Sequence, residues 1–147
     1  MLKPGSTIGI LGGGQLGRML ALAAARLGLH CHIYSPEKDS GAFEVVRAST
    51  CAAYDDEAAL ARFAASVDVI TYEFENIPAK TAAFLAKRKP VFPDPRVLEL
   101  TQDRLVEKNF ISGLKIAVAP YAAVHSASQL AAGIEKVGLP AVLKTTT

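Results

Sequence analysis

The sequence is short of almost every feature that would send a reader toward a membrane, a nucleic acid or a disulfide framework. Its formal net charge is only +2, from 16 basic and 14 acidic side chains. So small an excess argues against a dedicated nucleic-acid binder. No apolar run approaches the roughly 20 residues needed to cross a bilayer. The opening "MLKPGSTIGIL" has neither the apolar region nor the cleavage site of a signal peptide, so a cytoplasmic protein is expected. Only two cysteines are present, Cys31 and Cys51, both in apolar, strand-like surroundings. Two buried thiols are expected rather than a disulfide. His30 and His32 flank Cys31 and would share one strand face, but no further ligand has zinc spacing. Internal repeats and low-complexity tracts are also missing.

What is there is ample apolar content: half of the 147 residues are hydrophobic. That is enough for a globular core without staples. "STIGIL", "HCHIY", "ASTCAAY", "DVITYEF" and "KPVFP" read as short strands. Between them lie "QLGRMLALAAARLG", stopped by Gly28, then a Pro36/Gly41 loop ending in a short helix. "DDEAALARFAASV" follows, with acids in its first turn, and then "NIPAKTAAFLAKRK", with Pro78 in its first turn and Lys87, Arg88 and Lys89 at its negative pole. Strands alternating with helices predict an α/β fold, an open parallel sheet with right-handed crossovers. The pattern changes near Pro93 to Pro95. Two helical stretches then run on without a strand, followed by a strand at "YAAVH", a helix with Ser126 or Ser128 as cap, and a strand at "LPAVLKTTT". Residues 1–94 are therefore expected to form a Rossmann-like domain, and 95–147 the beginning of a second one.

Gly12, Gly14 and Gly17 fit G-x-G-x-x-G between a strand and a helix. Glycines admit a ligand to the backbone, and the helix N-terminus offers free N–H groups to a phosphate. The competing reading is a tight turn holding nothing. A nicotinamide enzyme would place an acid at the end of the second strand. Here that strand ends Tyr34-Ser35-Pro36, with Glu37 late for the role, which argues against a dehydrogenase.

"TYEFENIP", Thr71 to Pro78, lies at the C-terminal end of the fourth strand, the edge at which open parallel sheets bind ligands. Glu73 and Glu75 would alternate onto one face and accept hydrogen bonds from ribose hydroxyls. Asn76 reads either as a cap for the following helix or as a ligand contact.

Together, "GGGQLGRM" and "TYEFENIP", with "TQDRLVEKNFI" and "LPAVLK" after them, resemble the 5-(carboxyamino)imidazole ribonucleotide synthases of the ATP-grasp superfamily. The nearest rival, formate-dependent glycinamide ribonucleotide transformylase, tends to carry Glu at the place of Gln15 and Pro-Glu-Ile-Glu at that of residues 72–75. A non-catalytic nucleotide-binding module is a further alternative. The resemblance implies a pre-ATP-grasp substrate domain followed by the start of an ATP-grasp domain. It implies an ATP-dependent carbon–nitrogen ligase of de novo purine biosynthesis, acting on 5-aminoimidazole ribonucleotide and bicarbonate with ATP and Mg²⁺, and a homodimer when full length. Gly14, Gln15 and Leu16 would hold the 5′-phosphate, and Glu73 and Asn76 the rest of the ribonucleotide. Arg104 and Lys144 would contact ATP phosphates. Lys144 ends what reads as an apolar strand, where an unpaired ammonium is costly to bury. The other cations, Arg18, Lys108 and Lys87 to Lys89, read as solvated or dipole-facing charges. The family's next glycine loop, Mg²⁺ carboxylates and bicarbonate site would lie past Thr147, so an N-terminal fragment, inactive alone, is expected. Ser35-Pro36 stands where relatives often have Asp-Pro.

Overall fold

A computed structural model describes residues 2–147. The chain forms two compact units, divided after Glu99. In the first unit, four strands form a parallel sheet: β1 (Thr7–Leu11), β2 (His30–Ser35), β3 (Ala48–Cys51) and β4 (Val69–Tyr72), in the order β3-β2-β1-β4. The helices between them are α1 (Gln15–Arg26), α2 (Glu57–Ala65) and α3 (Ala79–Ala86), with a short 3₁₀ turn at Phe43–Val45.

Alternation along the strands separates two apolar layers. Ile10, Cys31 and Ile33 pack with Ala21 and Ala24 of α1. Leu11, Tyr34 and Ile70 pack with Leu60, Phe63 and Ala64 of α2 and with Ala82 and Leu85 of α3. Both faces of the sheet are thus covered, as parallel strands require. The helix ends follow local chemistry. Asp56 caps α2 by accepting from Ala59 N at 2.9 Å. Past the last turn of α1, Gly28 adopts φ +72°, and Leu29 N returns to Ala24 O at 3.0 Å. Arg88 stacks on Phe84 and donates to its carbonyl at 2.9 Å, closing α3.

"KPVFP" contributes only a single parallel bridge, Ile70 to Val91. Pro90 and Pro93 have no N–H to extend a ladder. The last buried residue of this core is Leu98, in α4 (Arg96–Thr101), which places the division a few residues later than the change in sequence pattern.

The second unit contains α5 (Arg104–Gly113) and α6 (Leu130–Val137), the latter preceded by a 3₁₀ turn at Ala127–Gln129. "YAAVH" and "LPAVLKTTT" are irregular, contrary to the strands expected there. A strand exists only by pairing, and the described residues of this unit supply no partner; Leu139, Val142 and Leu143 are all exposed. Ser126 stands at the N-cap of the 3₁₀ turn but makes no capping bond. At the start of α6 itself the position falls to Gln129, whose Oε1 accepts from His125 N at 2.8 Å rather than from a helix amide. Among the described residues, no helix is long and apolar enough to cross a membrane.

The cysteines differ from each other. Cys31 is buried, but Cys51 is exposed, because it ends the edge strand β3. The histidines differ too: His30 is exposed at the start of β2, whereas His32 lies edge-on to Phe63, ring centroids 5.0 Å apart. Ser66 Oγ donates to Phe63 O at 2.7 Å, so His32 Nδ1–H donates to Ser66 Oγ at 2.8 Å. Nε2 is left to accept from Thr50 Oγ1 at 2.9 Å. Burial holds the imidazole below its ordinary pKa of 6.5. The neutral form is therefore favoured in the folded state, and the unfolded chain takes up a proton first as pH falls. Stability is expected to be level above pH 6.5 for this group, then to fall as pH drops below it. Urea midpoints at pH 7.5 and 5 should show a larger drop for the wild type than for His32→Asn.

Candidate functional site

The strand order reverses direction at β1: β2 and β3 lie to one side and β4 to the other. The loops leaving β1 and β4 therefore flank the crevice at which such sheets receive ligands. After β1, the chain passes through Gly12, Gly13 and Gly14 into α1. Gly12 adopts φ +112° and donates to Tyr34 O at 2.9 Å. A Cβ on Gly17 would lie 2.6 Å from Gly12 O, so the glycine lets α1 close onto the loop. Gly13 O accepts from Ala42 N at 2.9 Å. Beneath Gly13, buried Ser40 places Oγ 2.9 Å from Ser35 Oγ and 2.7 Å from Glu37 O. Arg18 is a partly exposed charge with local partners: it donates to Gly41 O at 3.0 Å and pairs with the exposed Glu44, tying α1 to the 3₁₀ turn.

Gly14 is the N-cap of α1 and brings no side-chain cap. The amides of Gln15 and Leu16 open the helix, where no intrahelical carbonyl can reach them. Both residues are exposed. That makes a cradle of backbone N–H groups with a partial positive charge.

Glu73 reaches this cradle from β4. The strand ends at Tyr72 and the chain bends at once, so Glu73 and Glu75 do not alternate along a strand as the sequence pattern suggested. Glu73 N still bonds Leu11 O, at 3.2 Å. Its side chain lies directly over Gly12, where a Cβ would stand 2.5 Å from Cγ and from Oε1. Its carboxylate pKa is raised, chiefly by burial; a hydrogen bond from Gly14 N–H works the other way, and the charge of Glu75 adds to the rise. Asn76 is exposed on the same loop. It is not the helix cap: that position falls to Pro78, without a side-chain bond.

Tyr54, not singled out in the sequence, belongs to the same edge. Thr81 Oγ1 donates to its carbonyl at 2.6 Å, and its ring stacks on Tyr34 with centroids 5.9 Å apart. Burial raises its phenol pKa, and the charges of Glu73 and Glu37 raise it further, which places its hydroxyl in their field. The available signal was positional: Tyr54 follows the C-terminal end of β3, the same sheet edge that carries both motifs.

In the second unit, Asp103 caps α5, accepting from Leu105 N at 2.8 Å and Val106 N at 2.9 Å. Hydrogen bonds, led by Val106 N–H, hold its carboxyl below the usual range. Arg104 is exposed, and its backbone N donates to Thr146 O at 2.8 Å. Lys144, two residues before Thr146, is exposed on irregular chain. The expected buried ammonium at a strand end is thus not seen, because that strand does not form. Arg104 and the tail that carries Lys144 do share one neighbourhood. Among the described residues, no three His, Cys, Asp or Glu side chains come together in the way a metal ion would need.

Residues 5–102 match the family model of the ribonucleotide synthetase preATP-grasp domain. The chain belongs to that family. Over 143 residues, this preATP-grasp chain is 50% identical to an N5-carboxyaminoimidazole ribonucleotide synthase of Brucella melitensis, covering 97% of itself and 40% of that protein. It is 51% identical over its full length to a bifunctional purine synthesis protein purC/E of Dictyostelium discoideum, of which it covers 15%. Among solved structures, an ADP complex of an N5-carboxyaminoimidazole ribonucleotide synthetase superposes with a TM-score of 0.92 at 42% identity, over all of this chain and 39% of that one. The chain thus spans about two fifths of the synthases it matches.

Proposed function

We propose that this preATP-grasp chain is the ribonucleotide-binding part of an ATP-dependent carbon–nitrogen ligase of purine biosynthesis. The substrate is 5-aminoimidazole ribonucleotide. ATP phosphorylates bicarbonate to carboxyphosphate; the exocyclic amine then attacks its carbonyl carbon, and phosphate leaves. The observation that carries the reading is the contact between the two motifs: the Glu73 carboxylate sits on the glycine loop at the switch point of the sheet. The names of its relatives support the same reading.

In this assignment the amides of Gln15 and Leu16, after Gly14, receive the 5′-phosphate. Glu73 accepts from the ribose hydroxyls, with Asn76 on the same loop. Arg104 and Lys144 contact ATP phosphates. Mg²⁺ would be held by residues other than those described here. The protein works in the cytoplasm and, as a full-length synthase, as a homodimer.

Calorimetric titration of the 147-residue chain tests the assignment. Aminoimidazole ribonucleotide is expected to bind and NADH not to; preference for NADH would overturn it. Glu73→Gln is expected to weaken ribonucleotide binding about 10- to 100-fold, because hydrogen bonds to a charged acceptor contribute roughly 1.5–3 kcal/mol each and an amide keeps part of that. Arg104→Ala should leave ribonucleotide binding unchanged. A coupled assay with ATP, bicarbonate and ribonucleotide should detect no ADP release from these residues alone, and turnover above the blank would contradict the division of labour.

A further inference from the structure

The position of Glu73 has a cost for any anion entering the loop. Its Oε1 stands 2.5 Å from where a Cβ on Gly12 would be and 3.5 Å from where one on Gly14 would be. It accepts from Gly14 N–H, one of the loop's own donors. A second carboxylate, Glu75, adds to the negative field. The nearest basic residue in sequence, Arg18, is taken up by Glu44 and Gly41 O. A phosphate arriving at Gln15 and Leu16 thus meets helix amides on one side and a carboxylate on the other.

We infer that Glu73 is a selectivity element that keeps bare inorganic phosphate out of the glycine loop and admits phosphate esters whose own hydroxyls reach its carboxylate. Inorganic phosphate gains only the amides and suffers repulsion from Glu73. A ribose phosphate brings hydroxyl donors to the same carboxylate and turns the repulsive neighbour into an acceptor. The carboxylate also exchanges its bond from Gly14 N–H for those hydroxyls, returning that amide to the phosphate. Selectivity then comes from a group built against the wrong ligand as well as for the right one. The inference rests on the loop being the phosphate site of the proposed ribonucleotide.

The test follows the backbone amide signals of Gln15 and Leu16 by NMR in the 147-residue chain, titrated separately with inorganic phosphate and with ribose 5-phosphate. In the wild type, ribose 5-phosphate is expected to bind at least about tenfold more tightly than phosphate, one charge-assisted hydrogen bond being enough for that ratio. In Glu73→Gln the two should move in opposite directions: phosphate about three- to tenfold tighter, the scale of one partly screened charge repulsion, and ribose 5-phosphate weaker. Glu73→Ala, which needs no new contacts, should show the same gain for phosphate. Loss of ribose 5-phosphate binding with no gain for phosphate in either variant overturns the selectivity role and leaves the site assignment standing. If neither ligand shifts these amides in any of the three proteins, the assignment of the loop falls, and the selectivity role with it.

Discussion

Gly12→Ala is expected to abolish ribonucleotide binding and to destabilise the first unit at the same time. Two independent effects converge on this position. The backbone is at φ +112°, a conformation that residues with a Cβ adopt only under strain. Holding an alanine there costs about 1–3 kcal/mol. The new methyl would also point into Glu73, with Cγ, Oε1 and Cδ all within 2.9 Å. The end of Glu73 must swing away, and the loop loses the acceptor that faces it. If the loop shifts instead, the amides of Gln15 and Leu16 lose their alignment. Either adjustment removes the charge-assisted bonds on one side of the ligand, a loss of about 100-fold or more in affinity. Calorimetry with aminoimidazole ribonucleotide and urea unfolding measure the two effects separately. Gly41→Ala is the control. Nothing lies within 4 Å of its Cβ position, so its stability should stay within about 0.5 kcal/mol of the wild type. A Gly12→Ala protein that binds normally would show that the loop does not need Glu73 in this place.

Phe63→Ala is expected to cost about 3–5 kcal/mol, the usual range for emptying a buried phenylalanine site. Phe63 projects from α2 against the middle of the sheet and is 1% exposed. Gly9, in the central strand β1, leaves the space it fills: a Cβ there would stand 2.7 Å from Phe63 Cζ. The ring meets His32 edge-on at 5.0 Å and Tyr34 at 5.3 Å. Truncation therefore removes apolar burial and two aromatic contacts together, and strands the His32 ring beside a cavity. Domains of this size are stable by about 5–15 kcal/mol, so much of the reserve would be lost. Urea unfolding should show a lower midpoint with an unchanged slope. Phe92→Ala, at a site 63% exposed, should change little. A drop below about 1 kcal/mol for Phe63→Ala would mean that α2 collapses into the gap.

The sequence by itself determined the order of strands and helices through residue 89, because each element there is specified locally. Apolar runs form the strands, Asp56 starts α2, and Gly28 ends α1. It also determined the glycine loop, since only glycine tolerates both the backbone angle at Gly12 and the closeness of Gly17 to Gly12 O. Everything that depends on a partner distant in the chain was left to the tertiary structure. "YAAVH" and "LPAVLK" have strand composition but no neighbour to pair with among the described residues, and pairing is what makes a strand. Cys31 and Cys51 look alike in sequence, yet one faces α1 and the other ends an edge strand. Burial lowers the His32 pKa, and the groups packed around its ring, Phe63, Ser66 and Thr50, lie 31, 34 and 18 residues away. Glu73 was visible as an acid in an apolar stretch, but nothing local could place it on Gly12, 61 residues earlier. The parallel pairing of β1 with β4 does that: it sets Leu11 beside Tyr72, so the residue after each strand meets the other.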